Sequence, residues 1–167
     1  MDSSAQTRFE AAVLPHLDAA YTLARYLTRN AHDAEDVAQD ACLRALKYFD
    51  GFRGEDGTSA RAWLLAIVRN TAYTWRRHHR ADTLSTEFDE TQHSQAEVDD
   101  QPDRELLARA LDGLAPEFRE VIVLRELQGL SYKEISDVAG VPIGTVMSRL
   151  SRARTRLQEA LREEEGS

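Results

Sequence analysis

Leu130–Leu157 reads L-S-Y-K-E-I-S-D-V-A-G-V-P-I-G-T-V-M-S-R-L-S-R-A-R-T-R-L, and its reading decides the fold. Ser131 followed by Glu134 is the spacing of a capping box, so a helix starts there. Ile135, Val138 and Ala139 give that helix an apolar side. Ala139-Gly140 supplies a small, permissive corner, with Val141 as the plug between two helices. Pro142 suits the start of the next helix, where its missing N–H costs little. Val146, Leu150, Ala153 and Leu157 recur at spacings of four, three and four, which is one helical stripe. Arg149, Arg152, Arg154 and Arg156 fall off that stripe with Gly144, Thr145, Ser148, Ser151 and Thr155, and this part of the chain carries no acid. A short helix, a Gly turn and a basic helix are the parts of a helix-turn-helix that enters the DNA major groove. A solvated amphipathic helix is the plainer alternative.

The 167-residue chain has a formal net charge of -8, so this basic face runs against the overall composition. A hydrophobic content of 42% suffices for real cores. The acidic balance argues against indiscriminate coating of DNA and favours local contact aided by a partner. Cys42 is the single cysteine, which rules out an intrachain disulfide framework, and its helical setting favours packing over redox chemistry. No signal-peptide order and no membrane-length apolar run is present, so a reducing, cytoplasmic location without membrane insertion is expected. No Gly-rich phosphate loop, Ser/His/Asp order or specific metal-ligand cluster supports an enzyme, a cofactor or a metal.

Upstream, periodicity predicts a helix from Phe9 to about Thr28, broken at Asn30, and a second from Ala31 to about Tyr48. The second has Ala34, Val37, Ala38, Ala41, Leu43, Ala45 and Leu46 as packing positions. Phe49–Ser59 reads as a loop, and a third helix runs from about Ala60 to His79. Between Asp82 and Asp103 lie Asp82, Glu87, Asp89, Glu90, Glu97, Asp99, Asp100 and Asp103 and no Lys or Arg, the composition of a flexible, self-repelling linker. Helices near Arg104–Leu114 and Pro116–Leu127 precede the helix-turn-helix. The expected architecture is all-α: two small helical domains, 1–81 and 104–167, joined by an acidic linker, 82–103.

The second helix sets Asp33, Asp36 and Asp40 on one face with Gln39 beside them. A docking face for a basic partner, a metal site with His32, and an ordinary acidic face near a helix N-terminus all fit this pattern. The third helix carries Arg61, Arg69, Arg76, Arg77 and Arg80 interleaved with Trp63, Tyr73 and Trp75 and has no acid. Basic groups among aromatics suit single-stranded nucleic acid, while core packing is the alternative for Trp63.

Four blocks carry a resemblance: D-A-E-D-V-A-Q-D-A-C-L-R-A-L, F-R-G, A-W-L-L-A-I-V-R-N-T-A, and L-S-Y-K-E-I-S with V-P-I-G-T-V-M-S-R-L-S-R-A-R. In this order and spacing the chain resembles bacterial extracytoplasmic-function (group 4) sigma factors of the sigma-70 family. The resemblance implies a sigma-2-like and a sigma-4-like domain, and an alternative sigma factor that directs core RNA polymerase to −35 and −10 promoter elements. It assigns Asp36, Gln39 and Asp40 to the clamp helices of the largest polymerase subunit, with the flap of the second-largest subunit as a further contact. Phe52 and Asn70 fall near the pocket for an extruded −10 base, and Arg76, Arg77 and Arg80 near −10 DNA. Pro142, Gly144, Thr145, Ser148, Arg149 and Arg152 correspond to −35 contacts. An anti-sigma factor is the implied regulator, and the acidic linker corresponds to the segment near the RNA exit path. Met147 departs from the family by standing where many relatives carry Lys or Arg, and the loop from Phe52 to Trp63 is slightly longer than in some relatives. Two rival functions remain at this level: a stand-alone helix-turn-helix regulator using only 104–167, and a sigma mimic that sequesters an anti-sigma factor.

Overall fold

A computed structural model of the chain describes residues 3–52, 59–85 and 102–165. Among these residues there are helices and turns and no strand. Helix α1, Ser3–Val13, is followed by a 3₁₀ turn, Leu14–His16, and helix α2, Leu17–Thr28. The single helix expected from Phe9 to Thr28 is thus broken at Pro15. Proline has no N–H to give to the preceding turn, and its ring crowds the carbonyl four residues back. Helix α2 ends on Arg29 in the left-handed conformation, φ 62°. The next residue, Asn30, caps helix α3 by accepting the Asp33 N–H at 3.0 Å.

Helix α3 spans Ala31–Tyr48, as its periodicity predicts. Ala34, Val37, Ala41 and Ala45 are buried along one stripe. Their small size lets the neighbouring helices α2 and α4 (Ala60–Ser85) approach closely, and α2, α3 and α4 pack on one another. Leu43 and Leu46, expected among the packing positions, are exposed, because they fall on the outward side of that stripe.

Helix α4 starts at a Ser59 cap, whose hydroxyl accepts the Ala62 N–H at 3.0 Å. It runs past His79 into the first four residues assigned to the acidic linker. Residues 86–101 of that segment and the glycine loop 53–58 lie outside the described residues, and the segment's last two residues, Pro102 and Asp103, begin the next helix. Helices α5, Pro102–Asp112, and α6, Pro116–Ile122, follow, and α6 winds into a π-helical turn, Val123–Leu127. Helices α7, Tyr132–Ala139, and α8, Ile143–Glu165, form the helix-turn-helix.

The expected turn grammar is present atom by atom. Ser131 Oγ accepts the Glu134 N–H at 3.1 Å, and Glu134 Oε1 accepts the Ser131 N–H at 3.0 Å. Gly140 takes the left-handed conformation, φ 70°, and donates to the Ser136 carbonyl. The Pro142 carbonyl accepts from Thr145 and Val146 and so begins α8. Val146, Leu150 and Ala153 are buried against α7 and its neighbours. Ser131→Ala is expected to lower the unfolding free energy by about 1 kcal/mol, the usual worth of an N-cap, read as a shift of the denaturant midpoint at unchanged slope.

The two helical halves do not stand apart. One apolar core runs from Leu23, Leu27, Leu64, Leu65 and Val68 to Leu111, Ile122, Leu124, Leu130 and Ile135. Helix α4 lies against α7, and α2 against α6.

Candidate nucleic-acid interface

The recognition-helix face is built by subtraction. Once Val146, Leu150 and Ala153 are turned inward, Gly144, Ser148, Ser151, Arg152 and Thr155 point away from the core at helical spacing. Pro142, Gly144, Ser148 and Arg152 are exposed, and Thr145 and Arg149 are half-exposed. Thr145, Arg149 and Arg152 share one flank at i, i+4, i+7. Neither Arg149 nor Arg152 has an ion pair to any described residue. Arg154 and Arg156 are engaged. Arg154 binds Glu126 Oε1 through Nε at 2.9 Å and Nη2 at 2.7 Å. Arg156 lies over the Phe118 ring, 4.7 Å from its centroid. Arg149, Arg152, Arg154 and Arg156 therefore divide into two facing solvent and two that hold α8 to the preceding helices.

Helix α4 divides in the same way. Trp63, Asn70 and Arg77 recur every seven residues and lie on one face. Phe52 packs on Trp63 with ring centroids 5.0 Å apart, in a cluster with Phe49 and Phe9. This half-buries Trp63 and makes it a packing residue. Phe52 is half-buried on the same cluster, while Asn70 and Arg77 are exposed further along the face. The side chain of Arg80 lies outside the described residues, and Arg76 is partly buried.

Arg69 and Tyr73 turn instead towards the C-terminal half. Glu120, 0% exposed, accepts from Arg69 Nε at 2.6 Å and from the Tyr73 hydroxyl at 2.8 Å. Burial of the Tyr73 hydroxyl, together with this carboxylate, raises its pKa and keeps it a donor. Burial works against the charge on Arg69, but the bond to Glu120 outweighs it and its pKa is raised. Arg61 is committed likewise, to Glu134 Oε1 at 3.3 Å and to the Gln128 carbonyl at 3.3 Å. The Ser59 hydroxyl donates to Glu134 Oε2 at 3.0 Å. Burial alone would raise the Glu134 carboxyl, but the Ser131 N–H, Ser59 and Arg61 hold it below its ordinary value. Glu134 thus caps α7 and clasps the start of α4 with one side chain. The single-strand reading of all five α4 arginines is accordingly narrowed: in this arrangement Arg61 and Arg69 hold the two halves together.

Arg119, also buried, fills the seam from the other side. It donates to the carbonyls of Leu111, Asp112 and Leu114 at the end of α5 and to that of Tyr26 in α2. Burial and nearby Arg29 lower its pKa to about 10, while these carbonyls and the C-terminal dipole of α5 favour its charge. Glu120 and Arg119 escape a motif-based reading. Their one signal is a pair of opposite charges inside the apolar run from Phe118 to Leu124, where a charge needs a partner.

On α3 the acidic face is exposed as its periodicity requires. Asp36, Gln39 and Asp40 point to solvent, with Arg44 3.2 Å from Asp40 and His32 Nε2 3.8 Å from Asp36. Among the described residues no three His, Cys, Asp or Glu side chains converge as a metal site. The structure adds Leu43, 61% exposed, one and two turns beyond Gln39 and Asp36, with Leu46 and Tyr48 exposed nearby. The face is therefore acidic at one end and, at the other, sets Leu43 and Leu46 among the exposed cations Arg44 and Lys47. Cys42 is half-buried beside it, and burial raises its thiol pKa, away from reactivity. No described helix is long and apolar enough to cross a membrane.

Comparison with known proteins finds two family matches along the chain. Residues 12–81 match the Sigma-70 region 2 family and residues 104–157 the Sigma-70, region 4 family. The chain is 37% identical to an RNA polymerase sigma-E factor of Streptomyces avermitilis, over 92% of this chain and 84% of that one. It is 34% identical to the ECF RNA polymerase sigma factor SigE of Mycolicibacterium smegmatis over 96% of its own length, and spans 64% of the length of that protein. Among solved structures it resembles the sigma factor RpoE of Bartonella quintana, crystallised with the anti-sigma factor NepR. The TM-score is 0.77 at 32% identity, covering 93% of this chain and 97% of the other. It also resembles CnrH in complex with the cytosolic domain of CnrY, with a TM-score of 0.71 at 29% identity over 95% and 90% of the two chains.

Proposed function

The chain belongs to the extracytoplasmic-function sigma factors of the sigma-70 family, and from that premise we propose that it directs core RNA polymerase to promoters carrying its own −35 and −10 elements. It is a specificity subunit and carries out no chemistry of its own. The observation that carries this reading is the solvent-facing Gly144, Ser148, Arg149 and Arg152 on a capped helix-turn-helix, in a chain of net charge -8. An isolated acidic protein has little attraction for DNA, so this small basic face needs a partner to bring it to a promoter.

Each surface then has a role. Asp36, Gln39 and Asp40, extended by Leu43, dock on the clamp helices of the largest polymerase subunit. The first turns of α8, with Pro142, Gly144, Thr145, Ser148, Arg149 and Arg152, enter the −35 major groove, while the flap of the second-largest subunit holds this half in place. Phe52 and Asn70 receive an extruded −10 base, and Arg76, Arg77 and Arg80 follow the adjoining backbone. The protein works in the cytoplasm, where polymerase and promoter DNA are found. An anti-sigma factor is its regulator, a reading supported by the solved relative bound to the anti-sigma factor NepR. The domains proposed for these tasks are 1–81 and 104–157 extended to the end of the chain, with 82–103 between them.

Run-off transcription with purified core polymerase on a mixed promoter library tests the reading. Protein-dependent transcripts sharing two upstream motifs support it, and their sequence is the promoter code. Core binding without transcripts points to a sigma mimic. Tight binding of isolated duplex DNA without core points to a stand-alone regulator. Within this scheme Arg152→Ala is expected to weaken −35 recognition by about 1–3 kcal/mol, the worth of a bidentate base contact, and to relax sequence preference at one position. An equal loss on every promoter sequence would make Arg152 a phosphate anchor.

A further inference from the structure

The recognition helix exposes two large apolar side chains where a DNA-binding surface is expected to be polar. Ile143 is 44% exposed and Met147 53%. They stand at i and i+4 on the first two turns of α8, so they share a flank. The N-terminal residues of the second helix in a helix-turn-helix are the ones that reach base edges. Gly144, between them in sequence, has open space around the position of a Cβ, so nothing on this side holds a base pair away.

The two flanks of α8 differ in charge. Thr145, Arg149 and Arg152 lie on one, with neither arginine ion-paired to a described residue. Met147 lies on the other, followed two turns later by Arg154, whose guanidinium is taken up by Glu126 at 2.7 Å. The cation on the Met147 flank is thus already paired with Glu126 at the surface, and Ile143 and Met147 offer an apolar surface beside it. A major groove presents hydrogen-bonding edges for every base pair but only one apolar group, the C5 methyl of thymine.

We infer that Met147, supported by Ile143, reads a thymine methyl in the −35 element, and so acts as a specificity-determining residue of this chain. The inference deepens the sigma-factor reading and rests on it. Where a lysine or arginine at this position would add a phosphate or guanine contact, the thioether adds a preference for an A·T pair of one polarity. It is suited to that contact, being unbranched and able to adjust to an irregular apolar surface.

The test uses holoenzyme assembled from core polymerase and the full chain, on a promoter taken from the transcription library. Each thymine of the −35 region is replaced in turn by deoxyuridine, which removes the methyl and leaves the hydrogen-bonding edges unchanged. For the wild-type protein one such replacement is expected to weaken promoter binding about fourfold, the worth of one buried methyl group. With Met147→Ala the same replacement should have no further effect. Met147→Lys should also abolish methyl sensitivity, and should steepen the salt dependence of binding by about one counterion if the ammonium reaches a phosphate. The inference fails if no deoxyuridine position discriminates, or if Met147→Ala retains full methyl sensitivity. It fails too if Met147→Ala weakens core binding and leaves promoter preference intact, since the patch is then a polymerase contact. In all three cases transcription persists and the sigma-factor reading stands; a chain that yields no dependent transcripts overturns both.

Discussion

Asp36→Arg is expected to abolish binding to core RNA polymerase, by at least about a hundredfold, while leaving the helical spectrum and the denaturant midpoint unchanged. The Asp36 side chain is 56% exposed, and the one basic side chain close to it among the described residues is His32, at 3.8 Å and also exposed. Substitutions at such surface positions usually change stability by less than about 0.5 kcal/mol. The replacement turns the middle of the acidic face basic. Like charges brought together in an interface cost several kcal/mol, which is the source of the expected loss. The face has two components, however, and they are separable. Leu43→Ala should weaken core binding at every ionic strength, because it removes apolar area. The contribution of Asp36 should fade as salt rises, because exposed charges are screened over about 10 Å at 0.1 M. Core affinity unaffected by Asp36→Arg would remove the assignment of this face, whatever the outcome at the recognition helix.

Glu120→Ala is expected to lower the unfolding free energy of the whole chain by about 3 kcal/mol. Removing one partner of a buried ion pair typically costs about 3–5 kcal/mol, because the other charge is left without compensation. The lower figure applies because the Arg69 side chain keeps 22% of its exposure and can turn partly to water. Tyr73 loses its acceptor as well, and its hydroxyl is buried at the seam between the halves. Glu120→Gln retains the volume and one acceptor and should cost less. Equilibrium denaturation followed by tryptophan fluorescence is the measurement, since Trp63 and Trp75 both lie on α4. Equal stability of Glu120→Ala and wild type would show that the halves are not joined through this pair in solution.

Local grammar was readable wherever a residue's role depends on neighbours within four positions. The Ser131–Glu134 capping box, the Gly140 turn, the Val146–Leu150–Ala153 stripe and the limits of α3 all belong to this class. Each is set by backbone hydrogen bonding and helical period, and these are local. The exposed polar face of α8 is likewise readable, because it is what remains when a regular buried stripe is removed from a helix, while its assignment to the −35 element is what the resemblance implies. Pro15 is a local break that periodicity alone does not register, because the apolar pattern continues on both sides of it. Leu43 and Leu46 show the limit of composition. A leucine on a helix is assumed to pack, but its direction is decided by which neighbours α3 meets, and here alanines at 34, 41 and 45 take the inner side.

By itself, then, the amino-acid sequence determined the helices, their caps and turns, the all-α class and the family, because these follow from short-range spacing and from motifs in order. Only the tertiary structure decided which charges remain available. Arg69 and Arg77 look alike in sequence, but Arg69 is spent on Glu120, fifty-one residues away, and Arg77 faces solvent. Arg152 and Arg154 look alike, but Arg154 is held by Glu126. An ion pair depends on two side chains meeting in space, and no period in the chain records which acid a given arginine will meet.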